Sequence, residues 1–363
     1  MRSIYIHIPF CNTICSYCDF PKMIAKNSTK EEYIDNLIEE IKKYNVNEDI
    51  KSVYIGGGTP NALNLSLLER LFDSIKIFLY KSKENTIELN CELINEDLVK
   101  LLKKYNFNRV SLGVQTFDHQ IIENIKRHHN KKMVMFSIDL LHKYNIQNIN
   151  LDMIYGLPGQ TLPSLEEDIE TILSLNIKHL SYYSLILEEK TLLDYQIKHH
   201  QMSIPDDDLV ADMAVLINQK LKMSMLKQYE TSNYAVPGYE SIHNLGYWNC
   251  EEYYGFGAGA AGYINNIRYT NNYVLNKYYQ NNILESEYID QNSAKKEFMM
   301  LGLRKTNGVS ITKYYQKFGS YPEVDFNLSD LYDQKLIEKC GDFIKIVDDK
   351  ILLSNYVFRK FVD

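Results

Sequence analysis

Six short β-rich stretches alternate with longer amphipathic stretches through the first half of the chain, and this alternation constrains the fold more than any other feature. The β-rich stretches lie at 3–8, 52–57, 86–90, 109–114, 148–156 and 179–187. Strands joined by helical crossovers lie parallel in one sheet, with the helices on the outside. Six units are fewer than the eight of a full barrel. The pattern therefore predicts an α/β fold with a partial, splayed (β/α)6 barrel.

The alternation ends at about residue 205, and we place a second, smaller domain after it. Residues 1–205 form the predicted barrel domain, and residues 206–363 form a predicted C-terminal α+β domain. The second domain begins with a helix that has an acidic start. Its aromatic, glycine-rich segment at 246–263 predicts packed loops and short strands, and residues 343–354 predict a closing hairpin.

Composition and charge exclude several classes of function. The chain is 45% hydrophobic and carries a formal net charge of −7, which does not favour a nucleic-acid partner that needs a broad basic surface. It contains no run of about 18 apolar residues, and its N-terminus lacks the features of a signal peptide. Six cysteines in 363 residues are not a disulfide scaffold. We therefore expect a cytoplasmic protein without a transmembrane segment, whose membrane association, if any, is transient and through a partner.

Polar and glycine-rich segments follow the predicted strands at the point where each strand ends. The segment GGGTP at 56–60 follows the second strand, Glu88 lies near the end of the third, Gln115 follows the fourth, and Asp152 lies in the fifth. Parallel α/β folds bind their ligands at this edge. Each feature also has a structural interpretation: a turn for the glycines, and a hydrogen-bonded buried acid for Glu88 or Asp152. The glycine spacing matches neither a P-loop nor a GxGxxG fingerprint.

Three cysteines, Cys11, Cys15 and Cys18, follow the first predicted strand within eight positions. Structural zinc takes four protein ligands, usually with CxxC spacings, and the other cysteines of this chain are remote. His7 would be the nearest additional ligand, but we expect the strand to carry it away from the loop. An iron–sulfur cluster accepts thiolates at such short spacings. Three thiolates on a four-iron cluster leave one iron open for a substrate or cofactor.

The CxxxCxxC loop, with an aromatic residue before its third cysteine, resembles that of the radical S-adenosyl-L-methionine (SAM) superfamily. The segments YIHIPFC, GGGTP, SLGVQTF, DMIYGLPGQT and HNLGYW narrow the resemblance to oxygen-independent coproporphyrinogen III oxidase and its relatives, the heme chaperones of the HemW family. The resemblance spans Tyr5 to about Val309. In the oxidase the motif continues to a fourth cysteine, where this chain has Phe20. HNLGYW at 243–248 is typical of the HemW branch, so both features favour that branch.

This resemblance implies a set of cofactor-binding residues. Cys11, Cys15 and Cys18 would ligate one [4Fe–4S] cluster, whose open iron would be chelated by the amino and carboxylate groups of SAM. The residues expected to line the SAM site are Tyr5, Tyr17, Gly57, Gly58, Thr59, Glu88, Gln115, Arg127 and Asp152. One electron from the reduced cluster would cleave the C–S bond of SAM and give a 5′-deoxyadenosyl radical.

The HemW branch further implies heme as cargo and a heme-accepting respiratory protein as partner, without decarboxylation of coproporphyrinogen. His243 is the candidate axial ligand of the heme iron, with Tyr247 and Trp248 packing the porphyrin face. The alternative for His243 is a structural hydrogen bonder, and Cys250 is a second candidate ligand. The alternative function is an oxygen-independent coproporphyrinogen III dehydrogenase, and a zinc-binding module is the third. The sequence leaves two questions open: whether the protein forms a homodimer, and whether SAM is cleaved in its working cycle.

Three segments of the chain depart from the family pattern. Ala261 stands where the family often has a histidine in GxGAHG, Cys91 replaces a proline, and residues 188–191 read EEKT instead of EPGT. If the absent histidine contributes to heme binding in relatives, this chain lacks that contact. None of the departures affects the three loop cysteines.

Overall fold

The computed structural model describes residues 1–362 and contains a 12-stranded mixed sheet and a 3-stranded sheet with helices packed around them. The strands are β1 (Arg2–Ile8), β2 (Ile50–Gly57), β3 (Glu84–Asn90), β4 (Arg109–Gln115), β5 (Asn148–Tyr155), β6 (His179–Ser184), β7 (Lys227–Glu230), β8 (Asn233–Ala235), β9 (Tyr253–Phe256), β10 (Ala261–Ile264), β11 (Ile267–Asn271), β12 (Ile283–Tyr288), β13 (Val309–Ser310), β14 (Ile337–Cys340) and β15 (Phe343–Ile346).

The α-helices are α1 (Asn27–Tyr44), α2 (Leu65–Lys81), α3 (Glu96–Lys104), α4 (His119–Asn124), α5 (Lys131–Lys143), α6 (Leu162–Ser174), α7 (Leu192–Lys198), α8 (Asp207–Lys222), α9 (Ile242–Trp248), α10 (Leu275–Gln280), α11 (Gln291–Gly302), α12 (Ile311–Phe318), α13 (Pro322–Asp325), α14 (Ser329–Asp333) and α15 (Ser354–Arg359). Short 3-10 helices lie at Pro60–Ala62, Cys91–Leu93 and Asp348–Leu353. In the described part of the chain, none of these helices combines the length and apolarity that a membrane crossing requires.

Strands β1 to β6 pair in sequence order and are parallel, which confirms the predicted βα repeats. Their apolar side chains are buried, as expected for strands covered by helices on one face. The sheet is open, because β1 pairs with β2 and β9 and does not pair with β6. The predicted partial barrel is therefore confirmed.

Asparagine side chains cap the N-termini of three outer helices, α2, α3 and α5. Asn64 Oδ1 accepts a hydrogen bond from the backbone N–H of Leu67 at 2.9 Å, and Asn95 and Asn130 cap α3 and α5 in the same way. Such caps satisfy N–H groups that have no partner inside the helix. Asn64 and Asn95 end connections that follow β2 and β3, whereas Asn130 ends the connection between α4 and α5.

The segment after residue 205 extends both edges of the barrel sheet. Strand β9 lies parallel to β1 and is followed outward by antiparallel β10, β11 and β12, while β8 and β7 extend the sheet beyond β6. Strand pairing therefore does not divide the chain at residue 205. A separate apolar core lies between Met299 and Phe361 and contains the 3-stranded sheet β13–β15–β14.

The predicted hairpin over 343–354 is wrong in its second strand. Strand β15 pairs with β14, which precedes it, across a turn at Gly341 with φ 58°. The other edge of β15 is occupied by β13, so the residues after β15 have no edge to pair with. They form the 3-10 helix Asp348–Leu353 instead.

Candidate functional site

The cysteine loop lies on the carboxyl ends of β1 and β2 and is fastened there by backbone hydrogen bonds. The N–H of Cys11 donates to the carbonyl of Met23 at 3.0 Å, which closes the loop on itself. The N–H of Gly58 donates to the carbonyl of Ile8 at 2.9 Å, and the Thr59 hydroxyl donates to the Cys11 sulfur at 3.5 Å. The glycine-rich segment after β2 therefore contacts the cysteine loop directly.

Close approach explains why two of these positions are glycines. A Cβ atom on Gly58 would lie 2.8 Å from the carbonyl oxygen of Phe10 and 3.0 Å from the Cys11 sulfur. Gly57 has φ +112°, and a Cβ there would lie 2.5 Å from the His7 ring. The segment is thus more than a turn, because a side chain at either position would displace the residues it packs against.

His7 is tied to the end of the cysteine loop by its side chain. Its Nε2 lies 2.9 Å from the carbonyl oxygen of Pro21, and its Nδ1 lies 2.9 Å from the Tyr5 hydroxyl. Burial lowers the pKa of His7, so the ring is neutral. Both nitrogens are occupied, and His7 therefore positions the loop without being available as a fourth ligand.

The three thiols fit a multi-iron cluster better than a single metal ion. Burial raises the pKa of Cys11, and it raises the pKa of Cys18 to about 11. The neighbouring Cys15 raises the pKa of Cys11 and of Cys18 further, so these two thiols need a nearby cation to become thiolates. Among residues 1–362, no three His, Cys, Asp or Glu side chains converge as ligands of one ion would. A zinc ion holds its thiolates about 2.3 Å from a single point, whereas a cluster holds each on a different iron.

Arg127, Gln115 and Asn90 converge around Gly113 at the end of β4. A Cβ on Gly113 would lie 3.4 Å from Arg127 Nη2, 3.4 Å from Gln115 Nε2 and 3.6 Å from Asn90 Oδ1. Arg127 is buried, and its Nη1 lies 3.0 Å from Asn90 Oδ1 and 3.9 Å from the Cys15 sulfur. Among the described residues, the Nε atom of Arg127 has no hydrogen-bond acceptor, and the Oε1 atom of Gln115 has no hydrogen-bond donor. A guanidinium and a free amide oxygen suit the carboxylate and the ammonium of an amino acid.

Gln115 adopts a backbone conformation that is uncommon for a residue with a side chain. Its φ is +66°, in the left-handed region. The pairing of β4 with β5 also shifts register between Gly113 and Gln115. This irregularity lies at the end of β4, where Gln115 Nε2 approaches Gly113, and such strained positions cluster at ligand sites.

Two acids, Glu88 and Asp152, lie inside the barrel on β3 and β5. Glu88 accepts hydrogen bonds from the Tyr54 hydroxyl at 2.7 Å and from the N–H of Gly57 at 3.0 Å. Burial and the neighbouring Asp152 raise the pKa of Glu88 to about 7. Burial also raises the pKa of Asp152, although Ser111 donates to its Oδ2 at 2.6 Å. A cationic ligand beside these carboxyls would favour their ionised forms.

The remaining predicted SAM residues border the same edge. Tyr5 is half-buried on β1 and contacts Tyr54, with ring centroids 6.1 Å apart. Tyr17 packs against the apolar cluster of Ile121, Ile125 and Leu157. The structure thus brings all of the predicted SAM residues to one edge of β1–β5, whereas their roles there stay a prediction.

Lys22 belongs to this edge but was not predicted from the sequence. Its ammonium donates to the carbonyl of Cys18, and its charge lowers the pKa of Cys11 and Cys18 against the effect of burial. The signal that could have identified Lys22 is its position four residues after Cys18, on the segment that closes the loop.

His243 lies at the opposite, amino-terminal end of the barrel, and its geometry supports the structural alternative. The side chain is 2% exposed. Nδ1 lies 2.9 Å from the Ser52 hydroxyl, and Nε2 lies 2.8 Å from the Tyr247 hydroxyl. Burial lowers the pKa of His243 to about 3. Both nitrogens are occupied, and the ring packs against Tyr54 and Tyr247 with centroid distances of 5.0 Å and 4.9 Å. These contacts are those of a structural histidine, and a role of His243 as heme ligand stays a prediction.

The helix that carries His243 is fastened to the barrel by an acid. Glu84, at the start of β3, accepts hydrogen bonds from the N–H of Ile242 at 3.1 Å and of His243 at 3.0 Å. At the other end of α9, the guanidinium of Arg304 lies 4.4 Å from the Trp248 ring centroid. The same guanidinium lies 5.6 Å from the ring centroid of Phe358, which belongs to the smaller core. Arg304 therefore stands between Trp248 and that core. The segment HNLGYW joins the barrel to that core.

A partial parallel barrel with a three-cysteine loop at its carboxyl edge is the arrangement of radical SAM proteins. The profile of the Radical SAM superfamily matches residues 5–172 of this chain. The heme chaperone HemW of Lactococcus lactis is 38% identical, over 99% of this chain and 97% of the relative. The heme chaperone HemW of Bacillus subtilis is also 38% identical, over 100% of this chain and 99% of the relative. The chain belongs to the HemW family.

A solved structure shows the same fold over 99% of this chain. The radical SAM enzyme coproporphyrinogen III oxidase (HemN) of Escherichia coli superposes with a TM-score of 0.87 at 21% identity, covering 99% of this chain and 89% of the oxidase. At this identity the likeness concerns the fold alone. Membership of the radical SAM superfamily implies a [4Fe–4S] cluster and SAM as cofactors.

Proposed function

We propose that the protein is a heme chaperone that binds heme, one [4Fe–4S] cluster and SAM, and delivers heme to a respiratory protein. The observation that carries this proposal is the 38% identity to the L. lactis heme chaperone over nearly the full length of both chains. Phe20 supports the chaperone over the dehydrogenase, because it stands where the oxidase motif continues to a fourth cysteine. The oxidase resembles this chain closely only in fold.

In this proposal Cys11, Cys15 and Cys18 would hold the cluster, and SAM would bind beside it. When bound, the cluster supplies a single electron to SAM. The positive charges of Arg127 and Lys22 favour thiolate sulfurs in the loop, since both lower the pKa of Cys11. The Thr59 hydroxyl donates to the Cys11 sulfur and limits its movement.

In this proposal, different residues at the strand ends bind different chemical groups of SAM. Arg127 would pair with the carboxylate, and the free Oε1 of Gln115 would accept a hydrogen bond from the ammonium. Glu88 and Asp152, deeper in the barrel, face the cationic centre and the ribose hydroxyls. The further residues that line the site are Tyr5, Tyr17, Gly57, Gly58 and Thr59. Bound SAM would thus supply oppositely charged partners for the buried Arg127, Glu88 and Asp152. We infer that this is the physical reason for their placement, because a buried charge is costly without a partner.

The test begins with anaerobic reconstitution of the protein with iron and sulfide. Heme is then titrated, and coproporphyrinogen III is offered separately with SAM and a reductant. Stoichiometric heme binding without decarboxylated product supports the chaperone. Product formed in proportion to 5′-deoxyadenosine would make the protein a dehydrogenase, and absence of heme binding would overturn the proposal.

Delivery is tested with the heme-loaded protein and heme-depleted respiratory membranes. We expect heme to move from the protein to the membranes and to restore their oxidase activity faster than an equal concentration of free heme with albumin. Equal rates would remove the delivery step from the proposal. Light scattering of the apo and heme-loaded forms decides between a monomer and a homodimer.

A further inference from the structure

The turn at 222–227, between α8 and β7, presents two methionines to solvent. Met223 is 89% exposed, more than any other large apolar side chain of residues 1–362, and Met225 is 71% exposed. The turn is nevertheless ordered by its own hydrogen bonds. The Ser224 hydroxyl donates to the carbonyl of Leu221 at 2.8 Å and accepts from the N–H of Leu226 at 3.0 Å. The fold therefore holds both methionines outward instead of packing them.

Two exposed lysines flank these methionines. Lys222 ends α8 and Lys227 begins β7. The ammonium of Lys227 donates to the backbone carbonyl of Lys222 at 3.1 Å, so it lies beside the turn. Across residues 1–362, neither ammonium has a carboxylate within ion-pair distance. The turn thus combines two apolar tips with two cations that no acid of the described chain neutralises.

An apolar cavity opens on each side of the turn, and Leu226 lines both. The larger cavity, of about 1040 Å³, lies between α8 and the small C-terminal sheet, and the smaller one, of about 430 Å³, lies beside α6. The apolar walls of the larger cavity include Val215, Leu221, Phe343, Ile351 and Leu352. Pockets for organic ligands range over about 300–1,000 Å³ and are mainly apolar. Both cavities therefore have room for a flexible hydrocarbon chain.

The acids that line the larger cavity are already paired with other cations. Asp348 pairs with Lys345 at 2.8 Å, and Asp349 pairs with Lys350 at 3.6 Å. Among the described residues that line the smaller cavity there is no acid, and Lys178 is one of them. The local charge around the turn is therefore positive, although the whole chain carries −7.

This combination suits a lipid surface better than a protein partner. Apolar side chains flanked by lysines enter the boundary between headgroups and acyl chains, while the lysines pair with anionic headgroups. In protein–protein interfaces, by contrast, lysine is depleted and the core lacks charged residues. A flexible acyl chain also fits an irregular apolar cavity without the flat complementary area that a protein partner needs.

We propose that the turn at 222–227 binds an anionic phospholipid at a membrane surface. Met223 and Met225 enter the acyl-chain boundary, Lys222 and Lys227 pair with the phosphate, and one acyl chain occupies the larger cavity. Lipid binding at this turn requires neither heme nor the cluster, and it goes beyond the proposed function. It would bring the protein to a membrane directly, without the partner that the sequence led us to expect.

Co-sedimentation of the full chain with vesicles tests the surface. We expect binding to vesicles of equal parts phosphatidylglycerol and phosphatidylcholine, and binding weaker by about tenfold or more to phosphatidylcholine alone. Lys222→Gln combined with Lys227→Gln should weaken binding to the anionic vesicles by about tenfold or more. Met223→Ser combined with Met225→Ser should weaken it to a similar degree, because less apolar area leaves water.

Two matched controls change the same chemistry on exposed residues elsewhere. Lys83→Gln combined with Lys103→Gln removes two exposed lysines that have no ion pair, and Ile77→Ser removes an apolar side chain that is 56% exposed on α2. Binding to the anionic vesicles should equal that of wild type in both controls.

Dihexanoyl phosphatidylglycerol below its micelle concentration tests the cavity apart from a bilayer. Calorimetric titration should show one site in wild type, whereas glycerol phosphate, which has the headgroup without chains, should not bind. Val215→Trp should abolish the site, because Val215 is 42% exposed at the cavity wall and a larger side chain there fills the cavity without entering the core. Leu352→Trp fills it from the other wall and decides if Val215→Trp does not fold.

The outcomes separate the lipid site from the heme-chaperone function. Failure of wild type to bind the anionic vesicles would overturn the lipid site and leave the proposed function standing, and failure to bind heme would do the reverse. An equal loss in the control lysine pair would reduce the binding to net charge and overturn the site. Binding to native membranes but not to vesicles of their extracted lipids would assign the turn to a protein partner. Short-chain lipid binding that is unchanged in the folded tryptophan variants would overturn the cavity.

Discussion

Single side chains in the cysteine loop are held by partners that are remote in sequence. The Cys11 sulfur accepts from Thr59, 48 residues away, and the Cys15 sulfur accepts from Arg127, 112 residues away. The short spacing of the cysteines gathers the thiols, but these contacts orient them. Substitutions at this edge should therefore act on the cofactors before they act on the fold.

Cys15→Ser should abolish the cluster, because a serine hydroxyl is a poor replacement for a thiolate at iron. Iron and acid-labile sulfide per chain, measured after anaerobic reconstitution, should fall to background, and SAM cleavage should be lost. Cys340→Ser is the matched control, since Cys340 is exposed and outside the loop. A full complement of iron and sulfide in Cys15→Ser would contradict the ligand assignment.

Glu88→Gln should change how stability depends on pH. The pKa of Glu88 rises from 4.5 to about 7 on folding, so its carboxyl favours the folded state at low pH. That contribution is complete below about pH 4.5 and is lost as the pH rises through about 7. We expect wild type to lose about 2–3 kcal/mol relative to Glu88→Gln between these limits. Denaturant titrations from pH 4.5 to 8 measure the difference, and parallel stability curves would contradict it.

His243→Ala should lower stability and leave heme affinity unchanged. The substitution removes two buried hydrogen bonds and opens a small cavity, so the free energy of unfolding should fall by about 2–4 kcal/mol. His119→Ala, at an exposed position, should change it by less than about 0.5 kcal/mol. Denaturation and heme titration together check the prediction. Weaker heme binding at unchanged stability would return His243 to the role of ligand.

At the scale of elements, the end of β2 acts as the support of the cysteine loop. Gly58→Ala should reduce cluster content without removing a ligand, because its methyl group would lie 2.8 Å from the Phe10 carbonyl oxygen and 3.0 Å from the Cys11 sulfur. The overlap should cost about 1–3 kcal/mol of stability.

Gly246→Ala provides the control for this variant. A Cβ there meets only the flexible carboxylate of Glu251 at 3.3 Å and the Ser3 hydroxyl at 3.9 Å, and Gly246 lies inside α9, where alanine is favoured. Cluster content in Gly246→Ala should equal that of wild type. Equal content in Gly58→Ala would show that the loop does not depend on the close approach of β2.

At the scale of the whole molecule, one buried acid connects the first helix to the strands that extend the barrel sheet. Glu40 on α1 accepts hydrogen bonds from the N–H of Gly257 at 2.8 Å, from Asn271 at 2.7 Å, from Tyr278 at 2.6 Å and from Asn282 at 2.9 Å. These partners lie 217 to 242 residues away in the chain. Glu40 thus holds the extension β9–β12 against the barrel.

Glu40→Ala should lower the free energy of unfolding by about 2–4 kcal/mol, because it leaves several buried donors without an acceptor. Glu39→Ala is the matched control on the same helix. Glu39 is exposed and pairs with Lys42 at 2.9 Å, so its removal should change stability by less than about 0.5 kcal/mol. Urea denaturation of both variants measures the contrast, and similar losses would contradict the proposed role of Glu40.

The cofactor edge was predictable from the sequence because its signals are local. Cys11, Cys15 and Cys18 lie within one loop, and Gln115 and Asp152 lie at or near strand ends that the apolar runs mark. Parallel strands bring such positions to one edge without further information. The role of His243 was not predictable in this way, since its partner Ser52 is 191 residues away and nothing in HNLGYW indicates burial.

Local patterns in the chain predict the partial barrel, the cysteine loop and the edge at which they meet, because periodicity and spacing act over a few residues. Three features emerge only from the packed chain: β7–β12 extend the barrel sheet, β15 pairs with β14, and the His243 ring is hydrogen-bonded at the end of the barrel remote from the loop. These outcomes depend on which strand edges and buried donors remain unpaired after the barrel forms. That is a property of the packed chain and not of any one segment.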